Sequence, residues 1–301
     1  MKPTLTFGAI LSVYLKDQPQ HLFEALHSLL VTQSSPLDEV VCVVEGDISK
    51  ELVSVLDYFP FIRVTHIPRQ DLAPLGFGLP AALNLALQEI STDVVLKVDT
   101  DDINHVDRVR WTREAFESNS NLAIHGGQVQ EWDSDFKVWF GERRVPTEQE
   151  QILHRGVWRN PFNGPTVAFR RKDAVALGGF PIVGANEDYA LWGLFLKQGL
   201  RATNSFRTYV HMRGGDSLVK RRSGVRYKKG ERQTLDFLKK HGFLTLVQWS
   251  IHVASKGVIR QLPTWGNKYI YSKLRKRGSI PEDRFGINEA NEAYEKFQFG
   301  G

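Results

Sequence analysis

The chain has 301 residues, of which 42% are hydrophobic and 24% are charged, a composition that excludes intrinsic disorder and a collagen-like fold. Its one cysteine, Cys42, lies inside an apolar run, which excludes a disulfide framework and a cysteine-based zinc site. No uncharged stretch approaches the roughly 18 to 20 apolar residues of a membrane-spanning helix, so no such helix is expected.

The net charge of +5 is distributed unevenly along the chain. Residues 1–200 contain 18 Lys and Arg against 26 Asp and Glu, whereas residues 201–278 contain 19 against 3. This asymmetry predicts an acidic front and a basic rear with different partners. The basic surface is expected to face an anion such as a phosphate, a lipid head group or a nucleic acid.

Short apolar runs alternate with amphipathic segments over the first hundred residues. The pattern predicts strands at residues 4–13, 39–44, 62–67 and 94–98, separated by helices at residues 19–30, 49–58 and 79–90. Strands rich in Val, Ile and Leu are typical of a parallel sheet that is covered on both faces. This half of the chain is therefore expected to form an α/β layer structure.

Antiparallel signals begin at residue 121. We predict strands at residues 122–129, 136–140 and 166–170, and helices at residues 148–158 and 187–198. Beyond residue 215 the sequence becomes basic and less regular. The predicted fold class is α/β: a mostly parallel central sheet with helices on both faces and a small antiparallel part, at residues 1–215. A basic, partly helical extension follows at residues 216–301.

Three carboxylates, Asp99, Asp101 and Asp102, follow the fourth predicted strand within four positions. Ligands of open parallel sheets bind beyond the carboxyl ends of the strands. Such a cluster repels itself unless it holds a cation, and oxygen ligands favour Mg²⁺ or Mn²⁺ bound through one or two carboxylates and substrate phosphates. The alternative is an acidic turn in which Asp102 caps the next helix.

A second acidic segment, Asn186-Glu187-Asp188, precedes a predicted helix. Asn186 is suited to cap that helix, whose dipole favours acids in the first turn. An ionised carboxylate held at a helix start beside a cleft is also suited to be a general base. Both interpretations stay open on the sequence pattern alone.

Three further segments have a functional and a structural interpretation. Residues 160–166 are rich in turn residues and neutral hydrogen-bonding groups, which suit either a hydroxyl-rich ligand or an ordinary loop. The cationic run at residues 221–229 suits either a diphosphate or lipid phosphate, or a solvated face. An apolar stripe with helical spacing either lies in a membrane interface or packs on the domain; its members are Phe243, Val247, Ile251, Ala254 and Val258.

Taken in chain order, these segments resemble the family 2 glycosyltransferases, inverting enzymes with the GT-A fold, and particularly the bacterial branch that builds capsular and exopolysaccharides. The resemblance lies in residues 12–17, 39–46, 78–84, 99–102, 160–166 and 187–189. It implies hexosyl-type transfer from a nucleotide-diphosphate sugar, expected to be a UDP-sugar, to a hydroxyl of a glycan or lipid-linked glycan.

The resemblance also implies a role for individual residues. Asp188 would be the catalytic base, supported by Glu187. Asp101 would ligate Mn²⁺ or Mg²⁺, with Asp99 near the ribose or sugar and as a second ligand. The family's metal-binding His, two residues after an Arg, is missing after Arg213, and His211 is the candidate substitute. The implied donor contacts are Ser12, Tyr14, Glu45, Asp47, Asn84, Asp99 and Asp101, and the implied acceptor contacts are Asn163, Thr166 and Trp192.

The same resemblance implies a lipid-diphosphate oligosaccharide as acceptor and an anionic membrane surface as a partner. The protein is accordingly expected in the cytoplasm or on the inner face of the cell membrane. No nucleic-acid-binding motif stands in the chain, so no nucleic acid partner is expected. The alternatives are a nucleotidyltransferase acting on sugar phosphates, a non-catalytic basic nucleic-acid-binding protein, and an inactive carbohydrate-binding relative, which the two intact acidic clusters disfavour.

Overall fold

The computed structural model describes residues 4–68, 71, 78–214, 224–259 and 286–299. These residues contain a nine-stranded sheet covered by helices. The strands are β1 Phe7–Tyr14, β2 Glu39–Glu45, β3 Ile62–Ile67, β4 Val94–Lys97, β5 Ile103–Asn104, β6 Leu122–Trp132, β7 Trp139–Arg143, β8 Ala168–Arg170 and β9 Arg201–Arg213. The helices are α1 Pro19–Leu30, α2 Lys50–Tyr58, α3 Leu79–Glu89, α4 Arg108–Ser118, α5 Gln149–Gly156, α6 Arg171–Ala176, α7 Glu187–Lys197, α8 Val225–Lys240, α9 Leu246–Ile259 and α10 Ile287–Phe299.

The first four strands form the parallel half of the sheet, in the order β3-β2-β1-β4. Strand order therefore reverses between β1 and β4, which is where ligands bind in open α/β sheets. The sheet continues through β8, β6, β9 and β5, with β7 paired to β6. The pairs β4-β8, β6-β8 and β5-β9 are antiparallel, whereas β6-β9 is parallel.

Alternate residues of the buried strands contribute to two hydrophobic layers, one on each face of the sheet. In β2, Cys42 packs with α1 and α2, whereas its neighbours Val41 and Val43 pack with α3. This is the period of two that a strand imposes on its side chains. Because both faces are covered, the strand reads in sequence as a continuous apolar run. The sheet with helices on both faces, predicted from the sequence, is confirmed.

The described helices of the C-terminal extension pack against the α/β layers. Phe297 of α10 stacks on Phe23 of α1 with ring centroids 4.8 Å apart, and Tyr294 lies 5.5 Å from the same ring. Leu235 and Leu238 of α8 are buried in a cluster with Tyr189 of α7. The extension therefore shares hydrophobic contacts with the rest of the chain, and the division near residue 215, which lies outside the described residues, stays a prediction.

Several elements were absent from the sequence-based prediction: β5, α4, α6, β9, α8 and α10. The cationic run at residues 221–229 is described only from residue 224 onward, and the cations at residues 268–277 lie outside the described residues. None of the helices in the described ranges has the length and apolar character needed to cross a bilayer.

Candidate active site

The carboxyl ends of β1, β2 and β4 meet at one edge of the sheet. Tyr14, the last residue of β1, lies in register with Glu45, the last residue of β2. The Ser12 hydroxyl donates a hydrogen bond of 2.8 Å to Glu45 Oε1, so the predicted donor contacts on these two strands touch each other. Tyr14 is 41% exposed at this edge, which leaves its ring accessible to a ligand.

Asp17, in the loop after β1, is an acidic residue of this edge that the sequence analysis did not assign to the site. The Tyr14 amide donates to Asp17 Oδ2 at 3.0 Å. Burial, and then the nearby charges of Asp101 and Glu45, raise the pKa of Asp17 to about 7. The acids at the carboxyl ends of β1, β2 and β4 therefore lie near one another at one edge of the sheet. The sequence signal that could have identified Asp17 is its position just beyond the carboxyl end of a parallel strand.

Lys97 lies between the two acidic segments. It is the last residue of β4, its side chain is 4% exposed, and its ammonium forms an ion pair with the Asp99 carboxylate. Burial favours the neutral amine, but the surrounding carboxylates outweigh burial and raise the pKa of Lys97. These carboxylates belong to Asp99, Glu187 and Asp188. Two acidic segments almost ninety residues apart in the chain thus share one buried cation.

Glu187 and Asp188 occupy the first turn of α7. Burial and the Asp188 charge raise the pKa of Glu187 to about 7, while Lys97 acts in the opposite direction. Asp188 Oδ2 accepts a hydrogen bond of 3.2 Å from Asn160 Nδ2, and Asp188 Oδ1 accepts one of 2.6 Å from its neighbour's amide. A Cβ on Gly164 would lie 2.5 Å from Asp188 Oδ2, so the loop at residues 160–166 packs directly on this carboxylate.

The helix cap predicted at Asn186 is wrong in its detail. Asn186 precedes α7, but it adopts a left-handed conformation with φ of 57° and makes no side-chain cap. Its side-chain oxygen instead accepts a hydrogen bond of 2.9 Å from the Tyr227 hydroxyl of α8. Left-handed backbone costs free energy for most residues, and Asn tolerates it better than others. The chain uses this residue to turn into the acidic start of α7.

Helix α8 holds the segment before α7 in place through hydrogen bonds and a close backbone contact. The Thr234 hydroxyl donates to the Ala185 carbonyl, and the Gly184 amide donates to Gln233 Oε1 at 3.0 Å. A Cβ on Gly230 would lie 2.2 Å from the carbonyl carbon of Gly184, a distance that real Cβ atoms do not reach. The two glycines thus allow α8 to touch the backbone that leads to Glu187.

Arg213, the last residue of β9, holds the acidic loop at residues 99–102 in place. Its amide donates to Asp102 Oδ1 at 2.9 Å, and its guanidinium donates to the Asp101 carbonyl at 2.5 Å. The same guanidinium forms a buried ion pair with Glu24 of α1. Burial and the neighbouring acids raise the pKa of Asp102 well above its ordinary value. Asp102 is therefore an anchor of the loop, and the predicted alternative in which it caps the next helix is wrong.

Asp99 and Asp101 are the carboxylates of this loop that remain partly exposed. Oxygen ligands of this kind suit Mg²⁺ or Mn²⁺, which commonly take one or two protein carboxylates and complete their shell with phosphate and water. Within the described ranges, no group of three or more His, Cys, Asp or Glu side chains is arranged to hold a metal ion. The predicted third ligand, His211, is fully buried with its ring 6.3 Å from that of Trp132, and its role as a ligand stays a prediction.

The predicted acceptor contacts are buried in the structure, and their role stays a prediction. Trp192 is completely buried among the phenylalanines of the core and has no exposed surface. Thr166 and Asn163 are each 1% exposed, and their side chains bond to backbone groups inside the protein, including the Gly127 carbonyl. Asn84, a predicted donor contact, uses both ends of its amide to hold the backbone of Phe180. The donor role of Asn84 likewise stays a prediction. Asp47 is exposed beyond β2, and its donor role stays a prediction.

Comparison with known protein families gives one match that covers more than half of the chain. The family profile described as "Glycosyl transferase family 2" matches residues 9–178. The chain is 31% identical over 278 residues to a UDP-Gal:alpha-D-GlcNAc-diphosphoundecaprenol beta-1,3-galactosyltransferase of Escherichia coli, covering 91% of this chain and 98% of that one. It is 29% identical over 275 residues to the amylovoran biosynthesis glycosyltransferase AmsE of Erwinia amylovora, covering 90% and 99%.

Solved structures show the same fold at low sequence identity. A mannosyltransferase from Pyrobaculum calidifontis, in complex with GDP-Man and Mn²⁺, superposes with a TM-score of 0.54 at 15% identity, covering 99% of this chain and 88% of that one. A glucosyl-3-phosphoglycerate synthase from Mycobacterium tuberculosis, in complex with Mn²⁺ and UDP, gives a TM-score of 0.55 at 14% identity, covering 78% and 80%. The predicted α/β class of the GT-A type is confirmed.

Proposed function

Since this chain belongs to glycosyl transferase family 2, we propose that it transfers a hexosyl or N-acetylhexosaminyl group from a UDP-sugar to a hydroxyl of a lipid-linked glycan, with inversion at the anomeric carbon. One observation carries the proposal: Lys97 brings Asp99, on the donor side, and Asp188, at the start of α7, to one buried ammonium. The full-length similarity to a sugar transferase with a diphosphoundecaprenol acceptor supports a lipid-linked acceptor.

The proposed donor site follows the ends of the parallel strands. Tyr14, Glu45 and Asp47 would contact the uracil and ribose, with Ser12 holding Glu45 in place through its hydrogen bond. Asp99 would lie near the ribose or the sugar, and Asp101 would face the diphosphate. A Mn²⁺ or Mg²⁺ ion held by Asp101 and Asp99 would neutralise the charge that develops on the leaving diphosphate.

The proposed acceptor side lies at Asp188. Its carboxylate would take the proton from the acceptor hydroxyl as that oxygen attacks the anomeric carbon, a single in-line step that needs one base. Asn160 orients this carboxylate through its hydrogen bond to Oδ2. Glu187 would support the base from the same helical turn, and Lys97 would keep the two acids close together despite their like charges.

We also propose that the protein works on an anionic membrane surface at the inner face of the cell membrane. Helix α9 presents Leu246, Val247 and Ile251 to solvent with 66%, 68% and 47% exposure. The predicted apolar stripe therefore faces outward at Val247 and Ile251, while the neighbouring His252 is buried. An outward apolar face on a helix within a basic segment is the pattern of an interfacial helix.

The donor half of the proposal is tested by calorimetric titration of UDP in the presence of Mn²⁺. The wild type is expected to bind UDP in a metal-dependent way, and Asp101→Ala to weaken that binding by roughly 10-fold or more, because a charge-assisted ligand is removed. Asp57→Ala, on the exposed surface of α2, is the matched control and should leave the affinity unchanged. Equal UDP affinity for the wild type and Asp101→Ala would remove Asp101 from the donor site.

A further inference from the structure

Three arginines lie around the segment that contains Asn160, the residue whose side chain bonds to the proposed base. Arg155 lies in the last turn of α5, and Arg159 follows one turn later, with its amide donating to the Arg155 carbonyl at 2.9 Å. Arg143, at the end of β7, donates from Nε to Asn163 Oδ1 at 2.7 Å. Burial, and then the charges of Arg159 and Arg143, lower the pKa of Arg155 to about 10. The charges of Arg159 and Arg143 therefore both act on Arg155.

This cluster carries more positive charge than the residues around it neutralise. Arg143 has Glu131 as a counter-ion at 3.7 Å. Among the residues that the structure describes, neither Arg155 nor Arg159 forms an ion pair, and the buried Nε of Arg155 has no hydrogen-bond partner. Like charges held together without counter-ions cost free energy, and an anion between them would remove that cost.

The arginine cluster lies next to Asn160, which contacts the proposed base, and next to helix α9. Asn160, which donates to Asp188, directly follows Arg159 in the chain. Between Arg155 and Arg159, the Val157 carbonyl bonds to His252 Nε2 of α9 at 2.7 Å. The Trp158 ring, 42% exposed, lies 5.8 Å from the His252 ring. An anion bound here would therefore lie between the proposed base and the proposed membrane surface.

A lipid-linked acceptor with a single sugar brings its own anion close to the base. In such an acceptor the diphosphate is bonded to the sugar that carries the attacking hydroxyl, so the two groups are one sugar ring apart. The donor diphosphate is expected among carboxylates and needs a cation there. A second diphosphate requires a separate, cationic site, and guanidiniums bind phosphate oxygens with two parallel hydrogen bonds.

We propose that Arg155 and Arg159, with Arg143, form the binding site for the diphosphate of the lipid-linked acceptor. This inference rests on the function proposed above, because it takes Asp188 as the base toward which the acceptor hydroxyl points. The lipid chain would leave the site along Trp158 and α9 toward the bilayer. The arginines are binding residues of the acceptor and take no part in proton transfer.

The test is calorimetric titration of farnesyl diphosphate into the full chain saturated with UDP and excess Mn²⁺. Filling the donor site with UDP leaves the acceptor site as the place for a second diphosphate. We expect binding by the wild type and a loss of roughly 10-fold for each of Arg155→Gln and Arg159→Gln. Arg144→Gln is the matched control, because Arg144 adjoins Arg143 in the chain, is largely exposed and pairs with Glu142; its affinity should stay within about 2-fold of the wild type.

Inorganic pyrophosphate, titrated in the same way, separates recognition of the diphosphate from recognition of the lipid. Weaker binding of pyrophosphate with the same arginine dependence supports a site that also contacts the lipid, and equal binding supports a site for the diphosphate alone. Unchanged affinity of the double variant Arg155→Gln/Arg159→Gln for farnesyl diphosphate overturns the inference. So does a wild type that binds UDP with Mn²⁺ but not farnesyl diphosphate, an outcome that leaves the donor proposal standing. Arg159 is exposed, so Arg159→Gln alone provides the measurement if Arg155→Gln does not fold.

Discussion

The ammonium of Lys97 allows three carboxylates to lie near one another in partly buried surroundings. A buried charge without a partner costs several kcal/mol, and two adjacent acids such as Glu187 and Asp188 repel each other. Lys97 offsets both effects, because it pairs with Asp99 and attracts the two acids of α7. The sequence shows this lysine only as a polar residue at the end of an apolar strand. Its partners on α7 could not be predicted, because they are distant from Lys97 in the chain.

The substitution Asp188→Asn tests whether Asp188 is the catalytic base. The substitution keeps the size of the side chain and its hydrogen bond from the following amide, but it removes the proton acceptor. We expect turnover with a UDP-sugar and a lipid diphosphate sugar acceptor to fall by roughly 100-fold or more. UDP affinity with Mn²⁺ should change little. Asp57→Asn on exposed α2 is the control, and near-normal turnover of Asp188→Asn would remove Asp188 as the base.

The buried His125 is expected to make the free energy of unfolding depend on pH. It is buried in β6 with its ring nitrogens bonded to Thr203 and Tyr209, and burial lowers its pKa from 6.5 to about 4. Between these two values the unfolded chain binds a proton that the folded protein does not. Stability therefore falls as the pH falls through this window, by up to about 1.4 kcal/mol per pH unit.

This pH dependence is measured by urea unfolding of the wild type and His125→Gln between pH 7.5 and 5. The stability advantage of the wild type over His125→Gln should shrink as the pH is lowered, since the variant has no group to titrate at this position. The exposed His154, changed to Gln, is the control, and its profile should follow that of the wild type. Parallel profiles for wild type and His125→Gln would contradict the assignment.

Helix α8 acts on the site as an element, through backbone contact rather than through a charged side chain. Its contact with residues 184–187 depends on two facing glycines, Gly184 and Gly230, and on the hydroxyl of Tyr227 that holds Asn186. A methyl group at Gly230 would have to push the helix away, because the atoms it meets belong to backbone. The position of the acidic start of α7 thus depends on a helix that follows it by nearly forty residues.

Gly230→Ala is expected to lower the free energy of unfolding by about 1–3 kcal/mol, as overpacking of a close contact does. It should also lower turnover, while UDP affinity with Mn²⁺ stays the same because the donor carboxylates lie on other elements. Gly224→Ala provides the matched control: it precedes the same helix, has an ordinary φ of −67° and would place its Cβ in open space. Equal stability of the two variants would contradict the close contact.

The sequence-based predictions are most accurate where burial gives the apolar residues one regular spacing. β1, β2 and β4 are mostly apolar because both of their faces are covered, and the helices between the strands carry an apolar stripe, so the parallel half and the acidic edge of the sheet could be predicted. β9 alternates irregularly between buried and exposed residues, and it includes charged residues at both ends. α8 buries a narrow stripe, Gly230, Thr234, Leu235 and Leu238, within a strongly polar sequence. Neither pattern stands out without its partner element.

At the scale of the whole molecule, cations of α8 and the apolar face of α9 lie on two helices that contact each other. The described residues 224–259 contain seven Lys and Arg against two Asp and Glu. Arg232 and Lys239 of α8 lie over the ring of Trp249 on α9, at 4.4 and 4.1 Å from its centroid. The sequence predicted the stripe of α9 but not its direction, because the same residues would serve to cover a core. The exposure of Val247 and Ile251 supports the proposed membrane contact, whereas Phe243 of the same stripe packs against the core.

Vesicle flotation tests this surface with the full chain. The wild type is expected to float with vesicles that contain phosphatidylglycerol at low salt, and to float less with neutral phosphatidylcholine vesicles, because both apolar insertion and attraction to anionic lipid contribute. Val247→Ser/Ile251→Ser should reduce binding by roughly 10-fold or more, since each exposed side chain loses about 1–2 kcal/mol of burial in lipid. Val175→Ser/Ile182→Ser is the matched control, because these two residues are 49% and 50% exposed outside α9. Equal loss in both double variants would mean that general surface hydrophobicity is responsible, and no loss in either would remove α9 from the membrane contact.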